Sequence, residues 1–438
     1  MTATGRRIGL EQEFFLVDAS GELSHCADEF LERCHQSALE QGIHPQYFVP
    51  EFVKNVVEIN TPPAFTVEEL SGEYLKHLHL AIATAKSLGL QLYPLSSYPL
   101  PIRPIMRNKT NYHAQVRTVG FDRSLHAGKC TGTHLHLELP PGILDPQVGV
   151  SYHSTPVEQA ELLNIYNLAT ALDAAMIGLS RACPFYEGQS LGLANHVVHY
   201  RGSEVFGWDG VFTDVPIAGG LRPYADSVET LVELQFERHY GWLKAMDRAG
   251  VDRALFLGTG GNLLESSWNP IRLNQLGTVE IRSIDSTYPE VVIALAALLD
   301  SAARRVRTEH LMVRPVSGTV TFEVQGDVLQ VPDFDFLNHT LLYAAVTEGI
   351  HHPHVNAYVE SIFDFVSKDA VTNRFLARLR SDFDQRQTVE SEILKDFAPD
   401  STELSRGAGL WLVQQSCDRL EQKVSELLAE QLLAVSAT

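Results

Sequence analysis

The chain has 438 residues, 45% of them hydrophobic, enough apolar material for one large domain or two closely joined ones. Its formal net charge of −20 would repel a phosphate backbone, which excludes nucleic acid as the main partner but not a nucleotide neutralised by divalent cations. Five scattered cysteines without a C-x-x-C pair offer neither a disulfide framework nor a zinc knuckle, "MTATGRRIGLEQEF" lacks an apolar leader, and no run reaches the roughly 18 uninterrupted apolar residues of a membrane span, so a cytoplasmic protein without a membrane partner is expected.

In chain order, strands are predicted at "RIGLEQEFFLV", "VKNVVEINT", "LQLYPLS", "GTHLHLEL", "HVVHYRG" and "LGTVEIRSI", all rich in β-branched or aromatic residues. Between them, "TVEELSGEYLKHLHLAIATAKSLG" has helical apolar spacing, a capping box at Thr66 and Glu69, and a stop at Gly89. "TPVEQAELLNIYNLATALDAAMIGLSRA" and "YPEVVIALAALLDSAARRVRTEHLMV" read as helices too, the latter with Arg304, Arg305 and Arg307 on a charged outer face. In "GTVTFEVQGDVLQVP", Gly326 and Asp327 separate two alternating runs, as in a hairpin. From about Asn338 the pattern is mainly helical. The fold class is α+β, with one largely antiparallel sheet, helices on one side, and a helical part at 331–438 following a catalytic domain at 1–330.

Side chains two apart on a strand share a face. That places Glu11 with Glu13, opposite Leu10, Phe14 and Leu16; Glu58 opposite Val57 and Ile59; His134, His136 and Glu138 together; and Glu280 with Arg282, opposite Val279 and Ile281. A solvated sheet face would mix Lys, Thr, Ser and Gln, whereas these positions repeat carboxylate and imidazole. If they converge, crowded carboxylates must take up protons or bind cations. Oxygen donors with an imidazole and no thiolate suit Mg²⁺ or Mn²⁺, and Mg²⁺ on carboxylates usually has a phosphate partner. The Walker pattern is absent, since "HAGKCT" has Gly128 and Lys129 without the rest, and "GTGGN" is too weak a dinucleotide signal.

"GLEQEFFLVD", "PEFVKNVVEINTPP", "GTHLHLELP" and "GTVEIRSIDSTYP" come in the order and approximate spacing of the glutamate–cysteine ligase and carboxylate–amine ligase family, which the chain resembles over roughly residues 5 to 310. The resemblance implies a glutamine synthetase-like curved sheet forming a funnel, with ATP at one end, amino acids at the other, and two or three Mg²⁺ ions between. Carried over motif by motif, Glu11, Glu13, Glu51, Glu58, His134 and Glu280 resemble metal ligands. His134, Glu280 and Arg282 belong to the metal–nucleotide site. Arg282 and Arg201, in "HYRGSEVFGW", resemble arginines that hold the acidic substrate or its transferred phosphate. His136 and Glu138 are more variable in that family and are read as neighbours of the site. "WNPIRLNQLG" departs from a common bacterial form by placing Arg272 one residue from an expected basic position.

The implied activity joins L-glutamate to L-cysteine, or to another amine, through a γ-glutamyl phosphate, the route toward glutathione. A homodimer is one open option for its assembly. The rival is a metal-dependent amidohydrolase, because "HLH" on a strand also resembles that class, although its later histidines and aspartate have no counterpart here. Arg103, Arg107 and Lys109 read equally as a solvated basic loop or as phosphate contacts, and "HHPH" at His351–His354 as a surface feature.

Overall fold

The computed structural model describes residues 5–367, 373–397 and 402–436. Seven strands form the main sheet: β1 (Ile8–Asp18), β2 (Phe48–Pro50), β3 (Val56–Asn60), β4 (Leu90–Tyr93), β5 (Gly132–Glu138), β6 (Ile271–Asn274) and β7 (Thr278–Asp285). Their order is β6-β7-β5-β1-β3-β2, with β4 also paired to β1, and every pairing is antiparallel. The expected α+β class holds.

The alternating pattern decides which face is covered. Leu10, Phe14, Leu16, Val57, Ile59, Leu135, Leu137, Val279 and Ile281 are all buried in one core cluster. The helices Val67–Ser87, Pro156–Ser180 and Pro289–Thr308 pack on that face. Thr66 accepts the Glu69 N–H as predicted, whereas the Glu69 carboxylate accepts from Phe65 instead of closing a capping box. The helix Pro156–Ser180 is apolar enough to span a membrane by composition, but 89% of its most apolar window is buried inside the protein.

One polar residue interrupts the apolar face of β1. Gln12, fully buried between Glu11 and Glu13, donates from Nε2 to the Thr287 carbonyl at 2.7 Å and accepts from the Tyr74 hydroxyl. Each buried polar atom thereby finds a partner, as it must in a low-dielectric interior.

Two expectations are corrected. "HVVHYRG" is not a strand: Asn195–Arg201 is a short helix ending at Gly202, whose φ of 64° suits glycine. Local β-branched composition gave way to tertiary packing, since Val197 and Val198 are buried together with Ala194. Arg305 and Arg307 of Pro289–Thr308 do not lie on an outer face either, whereas Arg304 stays part-exposed. Arg305 is buried, donating to Glu309 at 2.6 Å and lying 4.2 Å from the Phe365 ring centroid, and Arg307 reaches Glu161 and the Glu138 carbonyl.

The predicted hairpin forms between Glu323–Gln325 and Val328–Pro332, and Met312–Val316 adds to it in parallel. Beyond Pro332 the described residues are mainly helical. The final helix, Arg406–Ser436, packs on Val67–Ser87 and β4, with Val413, Leu420 and Val424 in the main core. A second, smaller apolar cluster around Phe212, Trp242 and Met246 carries Tyr200 and Trp268 on its edge.

Candidate active site

The polar face of the sheet is built in rows set by strand register. Glu13 stands opposite Glu58 across β1 and β3, and Glu11 opposite His134 across β1 and β5. His136 stands opposite Glu280 on β7, which is opposite Arg272 on β6. Gly132 keeps the floor low. A Cβ on Gly132 would lie 2.9 Å from the His196 ring, too close to be accommodated without movement.

Of these, Glu11, Glu13, Glu58, His134 and Arg272 line a cavity of about 310 Å³ together with Glu51, Phe52, Tyr112, Gln115, His196, Tyr200, Trp268 and Arg282. Glu51 lies just past β2, its carboxylate accepting from the Phe52 N–H at 3.1 Å and its carbonyl from Arg107 Nε at 2.8 Å. Arg107 also pairs with Asp28, so it anchors Glu51 rather than standing in a solvated loop.

The donor atoms fall into three overlapping sets, each within 4.8 Å: Glu13, Glu51 and Glu58; Glu11, Glu58 and His134; Glu11, His136 and Glu280. Glu11 lies 3.2 Å from His134 Nδ1 and 3.3 Å from His136 Nε2. His136, read from sequence as a neighbour, therefore reaches into the cluster, oriented by Thr278 Oγ1 at 2.9 Å. Glu138 does not; it pairs with Arg7 at the sheet edge.

The electrostatics are those of crowded acids. Burial, then the Glu51 charge, pushes Glu13 up to about 8, although the Gly132 N–H donates to it at 2.8 Å. Burial, then Glu11 and Glu51, pushes Glu58 well above the usual carboxylate range. Burial would raise Glu11 as well, but His136 and His134 hold it low. His136 is correspondingly raised: burial opposes its charge, and Glu11 and Glu280 overcome that. Burial and Arg282 depress His134 to about 4, leaving a neutral imidazole able to offer a lone pair. Acids that hold protons because they are desolvated and crowded by other carboxylates form a donor set that fits a divalent cation.

Glu280 is fully buried and differently placed. It accepts from Arg272 Nε at 2.6 Å, from Asn274 Nδ2 and from Arg282 Nη1. Burial would raise it, but Arg272 and Arg282 hold it well below the carboxylate range. Arg201 lies one layer behind. Its two terminal nitrogens donate to Asp173 at 2.9 and 2.7 Å, and Asp173 also accepts from Ser283, the neighbour of Arg282.

The sequence motifs thus bring Glu11, Glu13, Glu51, Glu58, His134, Glu280 and Arg282 together, with Arg201 behind them. His196, Tyr200, Tyr112 and Trp268 were not anticipated. The i,i+4 spacing of His196 and Tyr200 would have marked them as sharing a face had the segment been read as a helix.

A sequence model of the family described as "Glutamate-cysteine ligase family 2 (GCS2)" matches residues 7–321. The chain belongs to this family. Among relatives, the GCS2 chain is 25% identical over 194 residues to the "Putative glutamate–cysteine ligase 2-2" of Mycolicibacterium smegmatis, a match covering 44% of this chain and 42% of the relative. It is 27% identical over 135 residues to the "Putative glutamate–cysteine ligase 2" of Streptomyces coelicolor, covering 31% and 36%. The matched region therefore spans less than half the length of either curated relative. In fold, the chain is similar to the glutamate–cysteine ligase of Francisella tularensis solved in complex with AMP, with a TM-score of 0.56 at 13% identity over 99% of this chain and 93% of that one.

Proposed function

We propose that this GCS2 chain is an ATP-dependent carboxylate–amine ligase that activates the side-chain carboxylate of L-glutamate as an acyl phosphate and couples it to the amine of L-cysteine. The observation that carries this reading is the row of three overlapping donor sets beside two arginines anchored on one buried glutamate. In this reading residues 1–330 form the catalytic domain and 331–438 pack on it.

A carboxylate is a poor electrophile, and transfer of the ATP γ-phosphoryl group to it supplies a leaving group. Mg²⁺ held by Glu11, Glu13, Glu51, Glu58 and His134 would neutralise phosphate oxygens and align the attacking carboxylate with the leaving group. Glu13 and Glu58, kept neutral by burial first and by their acidic neighbours second, would give up their protons to hold a cation. His134, already neutral, offers its lone pair without losing a proton. Glu280 holds Arg272 and Arg282 at the cleft, where guanidinium donors meet the transferred phosphoryl group or a substrate carboxylate without having to reorganise. Asp173, through Arg201 and Ser283, fixes the backbone beside Arg282.

The test is ADP release with Mg²⁺-ATP and L-glutamate across a panel of amines that includes L-cysteine. Ligation requires release that depends on both substrates and yields a γ-glutamyl amide, with L-cysteine preferred. Another preferred amine would keep the reaction class and replace the acceptor. Hydrolysis of a γ-glutamyl amide without ATP would overturn the ligase reading in favour of the amidohydrolase.

A further inference from the structure

On the helical side of the sheet, away from the carboxylate cleft, the helices Val67–Ser87, Pro289–Thr308, Asn373–Asp384 and Arg406–Ser436 enclose a cavity of about 650 Å³. That volume is in the range of small-molecule sites. Its apolar wall comes from Leu75, Ile293, Phe375 and Leu427. At its base is Glu290, in the first turn of Pro289–Thr308, only 9% exposed and with neither carboxylate oxygen hydrogen-bonded among the described residues.

Two of the cations around it are engaged elsewhere, Arg374 with Glu68 and Lys423 with Glu426 at 2.7 Å; the third, Arg378, is shared as a loose ion pair between Asp382 at 3.6 Å and Glu290 at 3.7 Å and hydrogen-bonds neither. A buried carboxylate without a side-chain donor is costly, and burial pushes this one up in pKa against the opposing pull of its own backbone amide and then of Arg378, Arg419 and Lys423. A donor cation would satisfy both oxygens, and the net charge of −20 favours cations over anions.

We propose that this cavity is a second ligand site, which takes a small molecule with an apolar body and a primary ammonium group that bonds Glu290. The site stands independently of the ligase reading. Its base is continuous with β1, because Thr287, three residues before Glu290, accepts through its carbonyl from Gln12.

Isothermal titration of the full chain with phenethylamine at neutral pH tests it. Saturable one-site binding is expected, with 3-phenylpropionate, of similar body and opposite charge, at least about tenfold weaker. Gly72→Phe fills the cavity from a helix position where an added Cβ meets nothing within 4 Å, and it should weaken phenethylamine about tenfold or more without unfolding the helix. Glu290→Gln should weaken it similarly. Absence of saturable binding, equal binding of amine and acid, or an affinity unchanged by Gly72→Phe would overturn the proposal; the last would place the amine in the carboxylate cleft.

Discussion

Glu13 and Glu58 face each other directly on β1 and β3, a half-buried and a buried carboxyl group that share Glu51 as a third acidic neighbour. Such a triad cannot carry its full charge without a cation, and the consequence is measurable as a dependence of stability on pH. Glu13 moves from an ordinary 4.5 to about 8 in the folded chain. Between these values the unfolded state has released its proton and the folded state has not, so stability falls as pH rises through that window and levels off above it. The melting temperature of metal-free protein should therefore drop from about pH 5 to about pH 8, while the stabilisation by added Mg²⁺ grows over the same interval. A pH-independent Mg²⁺ effect would separate Glu13 and Glu58 from the cation.

Glu58→Gln and Glu280→Gln should have opposite effects on stability. The first replaces a carboxyl group that must take up a proton to fold with an amide that is neutral in both states, and is expected to raise the melting temperature of metal-free protein at neutral pH while lowering Mg²⁺-dependent kcat by about 10² or more. The second strips Arg272 and Arg282 of their shared counter-ion and should cost about 3–5 kcal/mol in denaturant titration as well as turnover. Destabilisation by both would mean that the acids are paired in a way their register does not convey.

Arg201→Ala leaves Asp173 buried without its bidentate partner. Denaturant unfolding should show a loss of about 3–5 kcal/mol. Arg201→Lys keeps the charge but not the fork geometry, and it should recover part of the stability and only a small part of the turnover. Full recovery of both by lysine would remove the positioning argument for this pair.

Glu138→Gln breaks a partly exposed pair with Arg7 at the sheet edge. Steady-state turnover should stay within about twofold of the parent, with a stability change of ~1 kcal/mol or less. A large loss of kcat would bring Glu138 into the site despite its distance from the donor sets.

The polar face of the sheet was legible because a period of two is the strictest pattern a sequence carries. Glu11 with Glu13, Glu58, His134 and Glu280 with Arg282 each alternate with apolar residues that turn out to be buried. What alternation could not convey was how close neighbours on one face come. His136 and Glu138 look equivalent in "HLHLE", yet one meets Glu11 and the other meets Arg7, because β1 runs out of acids at Gly9. The opposite wall of the cleft was less legible still. His196 and Tyr200 come from a segment whose composition favours a strand, and Trp268 from a loop held by the second apolar cluster, so their positions depend on packing between distant parts of the chain.

Gln12 gives the strand that carries Glu11 and Glu13 an address. A shift of β1 by a single residue against its neighbours would turn both glutamates into the oily layer and swing the amide into the cleft. It would also abandon the Thr287 carbonyl and the Tyr74 hydroxyl, each of which has its bond only in the observed alignment. One amide in the greasy half of the protein thus works as a key against misthreading, and it tells an engineer which residue to leave untouched when the acids on either side are redesigned.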